Sequence, residues 1–564
     1  MSAYQPRLDE VQFILHDVLQ ASHQIAQLPA FAEVDLDLMN QVLDEAGKFV
    51  AAEIAPLNRV GDEVGAQWRD GQVTMPPGFK EAYAAFWQAG WASLTTAPED
   101  GGQGLPAVLD AVLYEWLCAA NHGWTMAPGL LHGAYECIKH HASDALREAY
   151  LSKVGTGEWL ATMCLTEPHA GSDLGRVRSK AVPQADGSYA IEGTKIFISG
   201  GEHDLTDNIV HLVLARLPDA PPGPKGLSLF LVPKFDREGQ RSAVTCERIE
   251  EKMGIHGSPT CVMRFDGARG WLVGEVGRGL QAMFVMMNAA RLHVALQGVG
   301  LLDAAWQKAD AYAHERRQMR APGSTEKEAD LLIAHPAMRR TLETQRAWID
   351  GGRVLAYRTG LALDQAKHHP EASAREAAQG WCALITPILK AAWTEQGFHG
   401  ASACLQVFGG HGYVREWGIE QNVRDARIAM IYEGTNEIQA NDLLIRKVLG
   451  DEGQAMRAMV ASLMADPQAS AARESLEVLL AATALCLEGR DHPEGLVRLH
   501  AVASDYLRLA SLALLHWAWA RIGTVMPAQA RWTGPAQALH DWILPELPMR
   551  LALIAQQLKV PQAA

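Results

Sequence analysis

The sequence predicts a mainly helical protein with a central antiparallel β domain, two flanking helical domains and a further helical extension at the C-terminal end. Three observations carry this. Apolar residues recur at helical spacing through residues 1–160, and short runs rich in β-branched and aromatic residues fill 161–276. Helical periodicity then returns at 277 and persists, with a plausible linker, Gly450-Asp451-Glu452-Gly453, marking a change near 450. At roughly 150 residues per domain, a chain of 564 residues holds about four units. They are read here as 1–160, 161–276, 277–450 and 451–564.

In the first unit, Leu38, Val42, Leu43, Ala46, Phe49, Val50 and Ile54 recur at spacings of three, four and seven, and Pro56 is expected to stop that helix. PEDGGQGLP (98–106) is a glycine-rich turn before the next helix, AVLDAVLYEWLCAA. In the β segment, SYAIEGTKIFIS, NIVHLVLAR, LSLFLVP and TCVMRFDG read as strands, with ADGS and PDAPPGPKG as turns between them. They lie too close together for crossover helices, so an antiparallel sheet or small barrel is expected. Beyond it, 281–304, QGWCALITPILKAAW and CLQVFGG read as buried helices, and 454–564 as an additional helical unit.

Composition removes several classes of function. Lys+Arg 50 against Asp+Glu 65 leaves a net charge of −15 with no long basic stripe, which argues against nucleic acid as a partner. The 50 glycines and 27 prolines show no period. Eight scattered cysteines without a C-x-x-C or zinc-finger spacing point to reduced thiols and no metal site. The start, MSAYQPRLDE, lacks a secretory n- and h-region, and the longest apolar stretches, 478–487 and 509–520, fall short of the about twenty residues a bilayer span needs. A cytoplasmic location without a transmembrane segment is expected.

One motif misleads. GRGLQA (Gly277, Gly279, Ala282) fits the dinucleotide pattern G-x-G-x-x-A, with Asp303 near the place of the ribose-binding acid. That acid should end a second strand, whereas Asp303 lies in the helical GLLDAAWQKA, so a turn opening a helix is the better reading.

Four segments carry candidate chemistry. MCLTEPHAGSDLG (163–175) offers a hydroxyl and close-approaching backbone N–H groups for a planar ring or a phosphate; by itself it is equally a strand followed by a turn. GTKIFISGG (193–201) is by itself a strand ending in a glycine turn. ERRQMRAPG (315–323) crowds guanidiniums at a helix end, serving either an anion or the helix dipole. In 404–439, Glu433 precedes Gly434 and Thr435 at a helix start, where it either complements the dipole or does chemistry; Asn436 with Gln439 has the spacing of a capping box.

Jointly, TEPHAGSD, KIFISGG, QVFGGHGY and IYEGTNEIQ, in this order and with a β segment between helical flanks, resemble the acyl-CoA dehydrogenase family over about residues 30–450. The start of the chain and the extension after 450 further resemble its larger subgroup, which includes broad-chain bacterial enzymes and 3-methylthiopropanoyl-CoA dehydrogenases. The resemblance implies FAD, contacted by Met163, Leu165, Thr166, Gly171, Ser172, Phe197, Ser199, Thr435 and Glu437. Phe197 and Ser199 replace the more usual Trp and Thr. Arg316, Gln406 and Gly410 would reach the FAD of a neighbouring subunit; around Arg316 the usual Phe-Gly is Met319-Arg320. Ser172, Asn288, Arg291, Tyr432 and Gly434 would contact the acyl-CoA substrate, and Glu433 would be the catalytic base. Some relatives carry that glutamate on the Arg291 helix, but Ala289-Ala290 stand there, so only Glu433 is on offer.

The chemistry explains the requirement. Desaturating a thioester between Cα and Cβ needs a carboxylate for the α-proton and a flavin for the β-hydride. Desolvation should raise that glutamate's pKa, and the developing enolate needs donors at the thioester oxygen. Expected partners are electron-transfer flavoprotein and a second copy of the chain in a homodimer. Expected substrates are medium- and long-chain fatty acyl-CoA or 3-methylthiopropanoyl-CoA. Met283, Phe284, Met286 and Met287 are candidates either to line the acyl slot or to fill core. An acyl-CoA oxidase or flavin monooxygenase on the same fold, and a silent CoA-binding scaffold, are the competing readings.

Overall fold

The computed structural model describes residues 3–526 and 530–558, with the side chains of 285, 288–290 and 530 outside the description. It is 63% helical around one large mixed sheet. In chain order the elements used below are α1 (Leu36–Phe49), α2 (Ala107–Thr125), β1 (Leu160–Cys164), β2 (Lys180–Pro183), β3 (Tyr189–Ser199), β4 (Ile209–Arg216), β5 (Leu227–Pro233), β6 (Val244–Ile249) and β7 (Thr260–Val273). There follow α3 (Gly279–Glu315), α4 (Pro336–His368), α5 (Ala372–Val407), α6 (Ile419–Arg427), α7 (Asn436–Asn441), α8 (Gln454–Met464), α9 (Arg473–Gly489), α10 (Gly495–Val525), α11 (Ala530–Ala538) and α12 (Glu546–Leu558). The contacts divide the chain into two compact units. The first is Met1–Lys48, Pro106–Ala119 and Arg291–Ala564; the second is Phe49–Leu105 and Ala120–Ala290.

The second unit holds every strand of the large sheet. β3 pairs antiparallel with β2 and β7, β5 with β4 and β7, and β6 with β7. β4 also meets β2 through Lys180 and Arg216, so β4, β2, β3, β7 and β5 close into a ring. The two parallel pairings, β1 with β4 and β2 with β4, depart from the antiparallel expectation. They arise because the chain leaves β1, runs through the β2–β3 hairpin and re-enters the sheet at β4 in the same direction. Inside lie Cys164, Ile191, Val213, Phe230, Val232, Met263 and Phe265, from β1, β3, β4, β5 and β7, where Phe230 and Val232, like Met263 and Phe265, are two apart and so share a face.

Helix α1 does not stop at Pro56: a π turn (Val50–Ile54), a 3₁₀ turn (Ala55–Leu57) and a helix (Asn58–Val64) follow it. Pro56 sits in the first turn of the 3₁₀ segment, where its missing N–H costs nothing. The dinucleotide-like glycines open α3: Gly277, with φ 76°, forms the turn, and Gly279 is its first residue.

In the first unit, long helices pack around an ionic core. Arg353 Nη2 lies 2.7 Å from Glu115 and 2.9 Å from Asp303, and Arg346 bonds Glu10 and Asp303. Arg531, from α11, pairs with Asp350 at 2.9 and 3.0 Å and with Glu10 at 2.7 Å. Tyr4 Oη donates to Asp303 (3.0 Å) and Tyr357 Oη to Glu115 (2.6 Å). Asp303 is therefore an internal ion partner and not a ribose acid. The network ties the N-terminal segment, α3, α4 and the extension beyond 450 together. The apolar stretch 509–520 forms the buried middle of α10, where Trp519 donates to the Ala347 carbonyl of α4 at 2.8 Å. Among the described residues no helix is long and apolar enough to cross a membrane, and no group of three metal-ligating side chains occurs.

Candidate functional site

The residues named from the sequence divide between the two units. In the second unit the chain leaves β1 at Cys164 and is held by one buried anchor, Glu167. Its carboxylate accepts from Arg178 N (2.7 Å), Ser179 N (3.0 Å), Ser179 Oγ (2.6 Å) and Lys195 Nζ (2.9 Å). Lys195, fully buried in β3, also donates to the Leu165 carbonyl at 3.1 Å, and Ile196 N donates to Thr166 O at 2.9 Å. Burial works to raise Glu167, but Lys195 and the other donors outweigh it and hold the carboxyl below its ordinary value. The sequence reading passed over both residues, although a lysine and a glutamate inside strand-like runs are signals of a buried pair.

This anchor fixes Leu165 and Thr166 beside β3, with Ala170 buried and Gly171 and Ser172 exposed beyond it. Met163, Leu165 and Thr166 are half-buried. A Cβ on Gly171 would meet nothing within 4 Å, so the chain's own packing does not require glycine there. Across the pairing, β3 carries a register shift between Lys195 and Ile198. Phe197 sits in that bulge with φ 60° and is 60% exposed, while Ser199 is half-buried. A left-handed, solvent-facing phenylalanine is a strained arrangement with no packing gain inside the unit. The side chain of Asn288 lies outside the described residues.

In the first unit, Glu433 follows a short 3₁₀ turn (Ile428–Met430) and precedes α7. It too is left-handed, φ 56°, and Gly434 follows at φ 85°. Four side chains hold this turn. Gln439 Nε2 donates to the Glu433 carbonyl (3.0 Å), and Lys390 Nζ donates to the Gly434 carbonyl (2.7 Å). Thr435 Oγ1 accepts from Ile438 N (3.4 Å), and Asn436 Nδ2 donates to the Ala391 carbonyl (3.1 Å). The N-cap of α7 is thus Thr435 and not Asn436. Asn436 is taken by α5, where its Oδ1 accepts from Lys390 (3.1 Å) and Thr394 (3.2 Å), and Gln439 reaches the Glu433 carbonyl, two residues before the cap, instead of closing a capping box.

The Glu433 side chain is partly covered, and its Oε2 is buried with no hydrogen-bond partner. Burial pushes its pKa up to about 7, against the opposing pull of the Arg291 and Lys390 cations. Tyr432 beside it hydrogen-bonds through Oη to Gln297, which in turn donates to Tyr114 Oη (2.9 Å). Glu437 is exposed on the first turn of α7, and Gly434 and Thr435 are half-buried. Arg291 and Glu433, far apart in sequence, are therefore brought into electrostatic reach. Lys390 was not singled out from the sequence, where it read as part of a buried helix.

Arg316, Gln406 and Gly410 are all exposed. Arg316 follows the last residue of α3, and Gln406 is the penultimate residue of α5. Gly410 lies in the 3₁₀ turn Gly409–Tyr413, where a Cβ would meet nothing within 4 Å. Tyr312, near the end of α3, hydrogen-bonds His411 at 2.8 Å and so joins the two places.

Comparison with known proteins gives this geometry its family. The family models for the acyl-CoA dehydrogenase N-terminal, middle and C-terminal domains match residues 39–158, 162–268 and 277–448. The chain is 44% identical over 499 residues to a 3-methylmercaptopropionyl-CoA dehydrogenase of Ruegeria pomeroyi, covering 87% of this chain and 84% of that one. It is 35% identical over 477 residues to a broad-specificity linear acyl-CoA dehydrogenase of Mycobacterium tuberculosis, covering 81% and 77%. A Caenorhabditis elegans ACDH-11 structure in complex with C11-CoA superposes with a TM-score of 0.77 at 19% identity, over 100% of this chain and 97% of that one. A Bacillus anthracis acyl-CoA dehydrogenase complexed with FAD gives 0.74 at 21% identity, over 96% and 91%; these two likenesses concern the fold alone. With three domain models matched and a relative this similar over most of its length, the chain belongs to the acyl-CoA dehydrogenase family of oxidoreductases.

Proposed function

We propose that the chain catalyses the FAD-dependent α,β-dehydrogenation of an acyl-CoA thioester to the trans-2-enoyl-CoA, with Glu433 as the α-proton base. The observation that carries this reading is the Glu433 carboxyl: held in a strained turn, its Oε2 buried without a partner and its pKa near 7. A carboxylate so placed binds a proton more readily than one in water, yet is substantially ionised near neutral pH, as a general base requires.

Family membership makes FAD the cofactor. The residues present suit it. Gly171 and Gly410 leave open space on their Cβ sides, Ser172 offers an exposed hydroxyl, and Phe197 presents an aromatic face outward at the cost of backbone strain. Met163, Leu165, Thr166, Gly171, Ser172, Phe197, Ser199, Thr435 and Glu437 would hold it, and Arg316, Gln406 and Gly410 would reach the cofactor of a neighbouring subunit in a homodimer. Bound FAD supplies the acceptor for the β-hydride.

The chain's own part is then to position and to move a proton. Glu433 takes the α-proton on its carboxylate, and its backbone N–H serves the thioester oxygen as charge develops there. Ser172, Asn288, Tyr432 and Gly434 orient the acyl-CoA. Arg291 serves an anionic group of CoA while its charge, together with that of Lys390, restrains the proton affinity of Glu433. The preferred substrate is 3-methylthiopropanoyl-CoA, supported by the relative that bears that activity in its name, with linear saturated acyl-CoAs next. Electrons leave to an electron-transfer flavoprotein, and the enzyme works in the cytoplasm.

Anaerobic mixing of the flavin-loaded protein with 3-methylthiopropanoyl-CoA and a panel of linear acyl-CoAs tests the reading. Bleaching of the flavin absorbance and a product lighter by two hydrogens are expected. A flavin spectrum unchanged across the whole panel would overturn it.

A further inference from the structure

Lysine is among the residues least often fully buried, because its ammonium is costly to remove from water. Lys390 is nevertheless fully buried in α5, in a run where Ile388, Leu389, Ala391, Ala392 and Trp393 are buried too. Packing alone would favour a methionine or leucine at such a position. Among the described residues no carboxylate stands within ion-pair distance of its Nζ. The Nζ bonds instead end on the Gly434 carbonyl (2.7 Å) and Asn436 Oδ1 (3.1 Å), which belong to the first and third residues after Glu433. Asn436 is locked in turn by Thr394 Oγ1 and the Ala391 carbonyl, both within one turn of Lys390.

We infer that Lys390 is a positioning residue for Glu433: its Nζ ties the left-handed turn to α5, and its positive charge sets how tightly the carboxylate holds a proton. The inference rests on Glu433 being the base. It goes further in assigning to a side chain outside the four sequence motifs both the aim and the proton affinity of that base.

The surrounding charges bear this out. Two other charged groups act on the pair: Arg291 on α3, which opposes Lys390 and favours the Glu433 carboxylate, and Glu437 on α7, which favours the Lys390 ammonium; Tyr432, next to Glu433, is itself raised by that carboxyl, and Lys447 feels the Arg291 charge. Burial pulls Lys390 down to about 7 and pushes Glu433 up to about 7, so the two titrate over the same range. A cation acting on it across the turn favours the ionised carboxylate, and removing that cation should strengthen the proton's hold.

The test is the acid limb of the kcat/KM–pH profile in flavin-loaded wild type, Lys390→Met, Lys390→Arg and Glu433→Gln. Lys390→Met should move the acid limb to higher pH by about one unit, the low end of what a neighbouring opposite charge does. Lys390→Arg, which cannot lose its proton, should leave the limb at or below the wild-type position. An unmoved limb in the methionine variant, whatever happens to kcat, overturns the inference. If that variant fails to fold or to bind flavin, the arginine variant decides: an upward move of its limb overturns the inference. Activity retained in Glu433→Gln would instead defeat the base assignment itself, so the two failures are told apart.

Discussion

Take the purified, flavin-loaded enzyme from about pH 8 to about pH 6 and follow kcat/KM for an acyl-CoA, which reports the ionisation of the free enzyme. With the Glu433 pKa near 7, about nine-tenths of the base is ionised at the upper pH and about one-tenth at the lower. The rate constant should therefore fall about tenfold, with a limiting slope of one in the logarithm. A glutamate at its ordinary value of 4.5 would lose almost nothing over this interval. The assay is initial-rate reduction of an artificial electron acceptor with substrate well below KM, in buffers of constant ionic strength. The sign extends to stability. A carboxyl whose folded pKa is raised favours the fold below its unfolded value of 4.5, and that advantage is lost as pH rises through about 7. Glu433→Gln, which stands in for the protonated form, should thus resist unfolding better than wild type at pH 8, and this gap should close towards pH 5. A kcat/KM profile flat down to pH 5.5 would refute the reasoning, because it would mean that burial does not reach the Glu433 carboxyl.

Other substitutions test the scaffolding. Lys195→Met leaves the Glu167 carboxylate buried without its cation and should cost about 3–5 kcal/mol, seen as a lower melting temperature and weaker flavin retention. Arg353→Met strands Glu115 and Asp303 in the helical core and should cost a similar amount, read by thermal unfolding, with the wild-type pH profile kept in whatever protein folds. Phe197→Gly relieves the left-handed strain, so stability should change by no more than about 1 kcal/mol. FAD affinity, measured by titration of the apoprotein, should nevertheless drop.

Much of the fold was legible in the sequence, for reasons that individual elements make clear. SYAIEGTKIFIS, NIVHLVLAR and LSLFLVP became β3, β4 and β5 almost residue for residue, because β-branched runs bounded by glycine, proline and aspartate have no competing helical period. Of β1 only the end, Met163-Cys164, falls in a segment that reads as a strand, and β2 and β6 carry no reading at all. They are short, and LATMC and KAVP carry no alternation to mark them. The closure of the sheet into a ring depends on the single meeting of Lys180 with Arg216, a long-range contact that no local pattern encodes. Pro56 was read as a stop because proline ends a helix from within, whereas here it begins a new 3₁₀ turn.

At the candidate site, Glu433, Gly434 and Thr435 stood out because their types are unusual together. The residues that hold them did not. Lys390 lies 43 positions before Glu433, inside what reads as ordinary apolar helix, and only the packing of α5 against the turn gives it a role. Asn436 has good capping chemistry, but α5 claims both ends of its amide, and Thr435 takes the cap. Local rules assign a polar side chain to its nearest backbone; tertiary contacts reassign it.

The central claim is that the Glu433 carboxylate removes the α-proton. It is tested most directly by single-turnover reduction of the bound flavin by acyl-CoA in Glu433→Gln. The variant should keep its flavin and its substrate affinity while the rate of bleaching falls by at least about 10²-fold, the lower end for loss of a general base. Bleaching at close to the wild-type rate would contradict the claim.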